Sequence, residues 1–343
     1  MNQINKNPAI LITGGAGYIG SHTCVQLLLA NENVIIADNL INSNPKVLNR
    51  IKEITKKDFK FYPIDLCDEE MVRELFEDNA IKSVIHFAGL KAVGESTAFP
   101  LKYYDNNLKC TLTLLKMMER FHVKKLVFSS SATVYGDPLT VPITEDFPLS
   151  VTNPYGSTKL IIENILKDVY KADPTWQIAI LRYFNPIGAH ESGLIGEDPN
   201  GIPNNLLPYI SQVAVGKMSH LNVFGNDYHT EDGTGVRDYI HVVDLADGHL
   251  AALKKIEENQ GLHIYNLGTG KGHSVLEMVS YFEKVSGVKI PYEIKERRAG
   301  DIASCYADTS KARDELHWWT KKNIEEMCKD TWNWQKKNPK GYA

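Results

Sequence analysis

The chain has 343 residues, too many for one small core, so it suits two domains or one large α/β unit. Hydrophobic residues make up 43% and charged residues 23%, ordinary for a globular protein. With 38 basic and 42 acidic side chains the net charge is −4, which argues against a polybasic surface for nucleic acid or for a membrane.

Met1-Asn2-Gln3-Ile4-Asn5-Lys6 leads directly into the first strand, without the apolar core of a signal peptide. Apolar runs then alternate with amphipathic stretches. Strands are expected at Ala9–Thr13, Val34–Ala37, Phe59–Tyr62, Ser83–Phe87, Lys125–Phe128 and Gln177–Tyr183. Between them lie helical patterns near Ile19–Ala30, Glu69–Asp78, Leu101–Arg120 and Tyr155–Tyr170. Continuous apolar strands alternating with helices imply a parallel sheet covered on both faces. Residues 186–235 break the rhythm; they are rich in Gly, Pro, Asn and Asp, which suits loops that wrap a ligand. A helix near Val243–Ile256 and a strand at Ile264–Leu267 suggest a return to the first domain, and the tail carries helical patterns at Ser274–Val285 and Ile324–Lys336. No run is long enough to span a bilayer. Cys24, Cys67, Cys110, Cys305 and Cys328 are odd in number and scattered, without metal-ligand spacing, which points to reduced thiols in a cytoplasm and to no metal.

The first strand runs into Thr13-Gly14-Gly15-Ala16-Gly17-Tyr18-Ile19-Gly20. Gly14 allows a tight turn, Gly17 lets the backbone approach a phosphate, and Gly20 lets the helix pack on the sheet. The amides and dipole at the helix start favour an anion. Asp38 ends the second strand, 18 residues beyond Gly20, where a carboxylate accepts from adenosine ribose hydroxyls and repels a 2′-phosphate. With no arginine nearby, NAD is preferred over NADP. Asp65, after the third strand, is placed to bond the adenine amino group. Phe87-Ala88-Gly89 ends the fourth strand with small residues that admit nicotinamide and its ribose. His86 reads as a packed core histidine. The fold class expected is therefore α/β: a doubly wound, parallel-sheet Rossmann domain over 1–185, rejoined by about 236–270, with a smaller mixed α/β substrate-binding domain over 186–343.

Ser129-Ser130-Ser131 ends the fifth strand, and in a parallel sheet ligands gather at the carboxyl ends of the strands. Tyr155 and Lys159 are four residues apart, so on a helix they face the same way. A free tyrosine, with a pKa of about 10, is a poor base at neutral pH. Positive charge from Lys159 and from oxidised nicotinamide favours the phenolate. Tyr155 is the candidate base, Lys159 its electrostatic partner, and Ser131 the group that positions a substrate hydroxyl and shuttles its proton.

The G-x-x-G-x-x-G spacing is typical of short-chain dehydrogenase/reductases. Longer matches narrow this: Val84–Ser96, Phe128–Gly136, Asn153–Lys159, Tyr183-Phe184-Asn185-Pro186, Gly201–Tyr209 and Phe224–His241. Over nearly its full length the chain resembles the UDP-glucose 4-epimerase family, extended members of that superfamily. The resemblance implies interconversion of UDP-glucose and UDP-galactose. The base removes the 4-hydroxyl proton while hydride passes to a tightly held NAD, and the 4-keto sugar turns over and takes the hydride on its other face. It implies cofactor contacts from Tyr18, Ile19, Asn39, Leu66, Lys91, Asn106, Ser129 and Phe184. Arg237 and Arg298 resemble diphosphate clamps, Asp301 a ribose ligand, and Asn185, Asn205 and Leu206 further sugar-nucleotide contacts. Leu221-Asn222-Val223-Phe224 resembles the strand lining the uracil pocket. A homodimer through the helices at Leu101–Arg120 and Tyr155–Tyr170 is also implied.

Two positions depart from the family pattern. Cys110 stands where glycine is usual, which alters helix packing near the cofactor. Cys305 stands where members carry either a bulky tyrosine or a smaller residue; cysteine leaves room for an N-acetyl group, so UDP-GlcNAc and UDP-GalNAc are hypothesised as further substrates. Among rivals, a 4,6-dehydratase would carry an Asp-Glu pair beside the central serine or threonine, whereas this chain has Ser131-Ala132-Thr133. A dehydrogenase would release its reduced cofactor, and nothing in the chain suggests such exchange. A non-catalytic sugar-nucleotide binder would have no need of Tyr155 and Lys159, whose presence argues against it.

Overall fold

The computed structural model describes residues 8–199, 201, 203, 205–298 and 300–342. The leading segment Met1–Lys6 lies outside these, as do Ile202 and Asn204 of the Gly201–Tyr209 motif. In chain order the strands are Ala9–Thr13 (β1), Val34–Ala37 (β2), Lys60–Tyr62 (β3), Ile81–His86 (β4), Lys125–Ser131 (β5), Gln177–Tyr183 (β6), Asn185–Ile187 (β7), Leu221–Phe224 (β8), Val236–His241 (β9), Gly261–Leu267 (β10), Gly272–Ser274 (β11), Tyr292–Lys295 (β12) and Ser304–Cys305 (β13). The helices are Tyr18–Leu29 (α1), Lys46–Thr55 (α2), Glu69–Asp78 (α3), Val93–Ala98 (α4), Pro100–Arg120 (α5), Pro154–Ala172 (α6), Leu206–Ala214 (α7), Val242–Glu258 (α8), Val275–Ser286 (α9), Ser310–Leu316 (α10) and Ile324–Lys337 (α11).

Seven strands form one sheet in the order β10-β6-β5-β4-β1-β2-β3. The ladders from β3 through β2, β1 and β4 to β5 are parallel. The strand order reverses beside β1, between β1 and β4, and at such a switch point the carboxyl ends of the strands open a crevice for a ligand. β1 and β2 are buried at every position, as expected for strands covered on both faces.

The chain divides into two compact units. The first comprises Met1–Ser130, Asn153–Leu181 and His249–Ile264. Its core gathers Leu11, Val84, Leu114, Leu126, Leu166 and Ile178, all essentially inaccessible to water. Helices cover it for local reasons. Asp68 caps α3 by accepting from the amides of Glu70 and Met71, and Val72, Leu75 and Phe76 then turn inward together. In α2 the spacing of Val47, Ile51 and Thr55 puts one buried stripe on a charged helix.

The second unit comprises Ser131–Thr152, Arg182–Gly248 and Tyr265–Ala343. Its β9 is the hub, pairing antiparallel with β11 and parallel with β7 and β13, while β8 and β12 form a separate parallel pair. Leu207, Ile210, Val223, Tyr239, Met278 and Phe282 build its core. Ser274 with Glu277, and Asn323 with Glu326, close capping boxes at the starts of α9 and α11. The stretch 186–235 is not all loop: it holds β7, α7 and β8. Pro208 is tolerated there because it sits in the first turn of α7, where its missing N–H has no helical partner to lose. Among the described residues no helix is long and apolar enough to cross a membrane.

Candidate active site

In the first unit the turn from β1 into α1 is built so closely that side chains are excluded. Gly14 has φ +69, and a Cβ there would lie 2.8 Å from the Ala88 amide nitrogen; a Cβ on Gly20 would lie 2.3 Å from the Gly14 carbonyl. Gly17 is different. A Cβ there meets only the Gly14 oxygen, at 3.2 Å, and no side chain caps the helix that it starts. The protein's own packing thus leaves bare backbone at an uncapped helix N-terminus, which suits an anion. Tyr18 and Ile19, both half-buried, open the helix.

Asp38 is fixed against this turn. Its Oδ2 accepts from the Ala16 amide at 3.0 Å, and its Oδ1 from the Leu40 amide at 2.9 Å and Ser43 Oγ at 2.8 Å. A carboxylate offers about four acceptor positions, and these three bonds use all but one. Asn39 Nδ2 donates to Asp65 Oδ2 at 3.3 Å, and Asp65 Oδ1 accepts from the Cys67 amide at 2.8 Å. Leu66 between them is a core residue, 5% exposed.

Beyond β4 the Phe87 amide donates to the Thr13 carbonyl at 3.0 Å, and the Phe87 ring packs 4.7 Å from that of His249. Gly89 has φ +154 and faces the side chain of Asn107, which spans the Leu90 amide and carbonyl at 2.8 and 3.0 Å; Asn106 Nδ2 donates to Asn107 Oδ1 at 3.0 Å. Lys91 lies exposed just before α4. His86 is the core histidine expected. Thr13 Oγ1 lies 2.7 Å from its Nδ1 and Thr111 Oγ1 3.0 Å from its Nε2, and burial pushes its pKa down to about 3. Because Thr111 already donates to the Asn107 carbonyl at 2.8 Å, the network assigns the ring proton to Nε2. Cys110 lies below, its Sγ 3.4 Å from the Asn107 carbonyl and 3.9 Å from that of Ala88, and burial raises its thiol to about 12.

The start of α6 sets Tyr155 and Lys159. Asn153 Oδ1 caps the Gly156 amide at 2.9 Å and Pro154 occupies the first helical position, so Tyr155 falls in the first turn and Lys159 one turn later. Lys159 is 6% exposed; its Nζ donates to the Ser129 carbonyl at 2.6 Å and lies 4.9 Å and 5.9 Å from the ring centres of Phe128 and Tyr155. Burial draws its pKa down to about 8, against the opposing influence of Cys110 and Glu163. It therefore remains mostly a cation at neutral pH. Ser131 ends β5, and its Oγ accepts from the Thr133 amide at 3.2 Å.

The second unit carries the remaining expected residues. Asn185 is exposed on β7, opposite Tyr239 of β9, and Phe184 just before it is 4% exposed with its amide on the Leu267 carbonyl at 3.2 Å. Asn205, exposed at the start of α7, donates to Glu197 at 2.8 Å, and Leu206 is half-buried beside it. On β8, Asn222 Nδ2 donates to the Tyr209 hydroxyl at 3.2 Å, and the Arg298 guanidinium stacks 4.8 Å from the Phe224 ring centre. Arg298 also pairs with Asp301 through contacts of 2.8 and 3.3 Å. Arg237 and Cys305 stand opposite each other in the β9–β13 ladder; Arg237 Nη1 donates to the Val236 carbonyl at 2.9 Å, and burial raises the Cys305 thiol to about 11.

Two buried carboxylates went unread in the sequence. Glu163, fully buried one turn past Lys159, accepts from Ser130 Oγ at 2.5 Å, so successive residues of β5 are held by successive turns of α6. Its four-residue spacing from Lys159 was the available signal. Asp238, next to Arg237, accepts from Thr269 Oγ1 and N, Gly270 N and Ala307 N at 2.6, 2.8, 3.0 and 3.1 Å. It fixes the segments on either side of β9.

A glycine turn on an uncapped helix, an acid fixed against that turn and a Tyr155/Lys159 pair define the short-chain dehydrogenase/reductase class. The model of the GDP-mannose 4,6 dehydratase family matches residues 11–331. UDP-glucose 4-epimerase of Bacillus subtilis is 64% identical over 334 residues, 97% of this chain and 98% of the relative. The crystal structure of UDP-glucose 4-epimerase from Bifidobacterium longum, in complex with NAD+ and UDP, aligns with a TM-score of 0.95 at 57% identity, covering 97% of this chain and 99% of that one. The enzyme from Stenotrophomonas maltophila, with bound NAD and formylated UDP-arabinopyranose, aligns with a TM-score of 0.95 at 48% identity, covering 97% and 99%. This chain belongs to the extended short-chain dehydrogenase/reductases, in the UDP-glucose 4-epimerase family.

Proposed function

We propose that the chain epimerises UDP-hexoses at carbon 4, interconverting UDP-glucose and UDP-galactose. The observation that carries this reading is the buried Lys159 ammonium, anchored on the Ser129 carbonyl one helical turn from Tyr155. Tyr155 would take the proton of the sugar 4-hydroxyl and later return it, with Lys159 favouring the phenolate and Ser131 orienting the hydroxyl. The cofactor is NAD, which when bound accepts a hydride from carbon 4 and gives it back. Gly14, Gly17, Tyr18, Ile19 and Gly20 would hold its pyrophosphate, and Asp38, Asn39, Asp65 and Leu66 its adenosine. The free acceptor position on Asp38 suits a ribose hydroxyl, and its charge disfavours a 2′-phosphate. Phe87, Ala88, Gly89, Lys91, Asn106, Ser129 and Phe184 would serve the nicotinamide half. Residues 1–185, with the return over about 236–270, would thus form the NAD domain and 186–343 the UDP-sugar domain.

Arg237 and Arg298 would grip the diphosphate, since guanidinium forks suit phosphate oxygens. Asp301 would then exchange its bond to Arg298 for the uridine ribose, while Asn222 and Phe224 line the uracil. Asn185, Asn205 and Leu206 would supply the remaining contacts. Firm anchoring of UDP with a permissive sugar pocket lets the keto sugar turn without leaving. The small thiol at Cys305 supports a second activity on UDP-GlcNAc and UDP-GalNAc. Although the matching family model is named for a dehydratase, the residues after Ser131 are Ala132 and Thr133, which offer no carboxylate for an elimination.

A homodimer is proposed through α5 and α6, where Leu101, Leu112 and Ile161 are exposed. All five cysteines are free thiols, in keeping with a cytoplasmic setting. The test is direct: purified protein mixed with UDP-galactose and no added NAD is expected to yield UDP-glucose. Failure to do so with NAD added as well would overturn the reading.

A further inference from the structure

The loop after β8 carries a buried hydroxyl without a hydrogen-bond partner. Tyr228 is 7% exposed, and its Oη has no partner among the described residues. A buried polar atom left bare is destabilising, and native chains seldom keep one without use. The ring is locked in place. A Cβ on Gly225 would lie 2.6 Å from its Cε2, and the Arg297 guanidinium stacks 4.0 Å from its centre. Arg297 is in turn held by Asp227, at 2.7 Å to Oδ1 and 2.7 Å to the carbonyl. The loop closes on itself through the Tyr228 amide, which donates to the Gly233 carbonyl at 3.0 Å.

The surroundings point to an anionic ligand. β8 and β12 run in parallel with Phe224 opposite Lys295, and the Gly225 amide continues the ladder to the Lys295 carbonyl at 2.8 Å. Two arginine–ring stacks lie at or just past the end of this ladder, Arg298 on Phe224 and Arg297 on Tyr228. Burial raises the pKa of the phenol, and the charges acting on it are Asp301, Arg297, Arg237 and Arg298, so it stays a protonated donor. Three of those four are the groups proposed above to hold the nucleoside diphosphate.

We infer that the Tyr228 hydroxyl donates a hydrogen bond to a diphosphate oxygen of the bound sugar nucleotide, as a third grip beside Arg237 and Arg298. The inference rests on the proposed UDP-sugar site. Tyr228→Phe keeps the ring, its stack on Arg297 and its packing on Gly225, and removes only the donor. In calorimetric titrations of the NAD-bound protein with UDP, the variant is expected to bind about tenfold more weakly than the parent. Its thermal midpoint without UDP should be unchanged or higher, because the unpaired buried atom is gone. The KM for UDP-galactose should rise in step with the weaker UDP binding. Equal UDP affinity in parent and variant would overturn the inference alone, as would a fall in thermal midpoint accompanying weaker binding. No UDP binding by the parent would overturn the proposed site, and this inference with it.

Discussion

Lys159→Met should leave the protein at least as stable as the parent at neutral pH, although the lysine is central to the proposed chemistry. The lysine is buried as a cation, and its pKa falls from 10.5 to about 8 chiefly because burial disfavours the charge. At 1.36 kcal/mol per pKa unit, holding the charge at pH 7 costs the native state about 3 kcal/mol relative to the neutral amine. Methionine is similar in length and carries no charge. It abandons the bond to the Ser129 carbonyl, and losing a hydrogen bond from a charged donor costs about 1.5–3 kcal/mol. The net expectation at pH 7 is a change between about 0 and 1.5 kcal/mol in favour of the variant.

The pH dependence is the sharper signature. Above about pH 8 the native parent has released the proton, while the unfolded chain holds it until about 10.5. In that window the unfolded state binds more protons, so the parent gains stability as pH rises, by about 1.4 kcal/mol per pH unit at most. The variant has no such term. Its advantage should therefore be greatest below pH 8 and shrink steadily toward pH 10. Urea unfolding of both proteins at pH 7, 8, 9 and 10 follows the difference, in which other titrating groups cancel. A difference that stays flat or grows with pH would refute the assignment of a desolvated ammonium at this position.

Tyr155→Phe should lower turnover at least 10²-fold while UDP-sugar binding is kept, the scale of one acid–base group, measured by steady-state rates beside UDP titration. Gly20→Ala should cost about 1–3 kcal/mol and deplete bound NAD, because the new Cβ would fall 2.3 Å from the Gly14 carbonyl; melting curves and cofactor released on denaturation check both. The parent is expected to convert UDP-GlcNAc, and Cys305→Tyr to lose that activity at least tenfold more than activity on UDP-glucose, an order set by crowding at a position only 8% exposed. Equal losses on both sugars would leave Cys305 without a role in specificity.

How much of the fold and site is legible in the sequence depends on the range of the interactions. The first unit is written in local pattern. Strands buried on both faces leave apolar runs, so β2 begins and ends where its run does, and β1 and β6 reach only one or two residues past theirs at either end. The cap that starts α6 and the four-residue step from Tyr155 to Lys159 are likewise local, and the pair proposed for the chemistry is legible for that reason. The second unit works differently. β7 and β13 have three and two residues, too few for any period, and exist because β9 offers them partners. Asp238 is the extreme case. In the sequence it is one acid beside an arginine, usually a solvated pair. Its meaning comes from Thr269, Gly270 and Ala307, which lie 31, 32 and 69 residues away and together make a buried carboxylate acceptable. Arg237 depends on that arrangement. Its backbone is held by a neighbour whose bonds tie β9 to the segments after β10 and β13, so the grip on a diphosphate proposed for it would be set by long-range pairing. The placement of Tyr155 and Lys159, proposed above for proton transfer, is by contrast set within one turn of one helix.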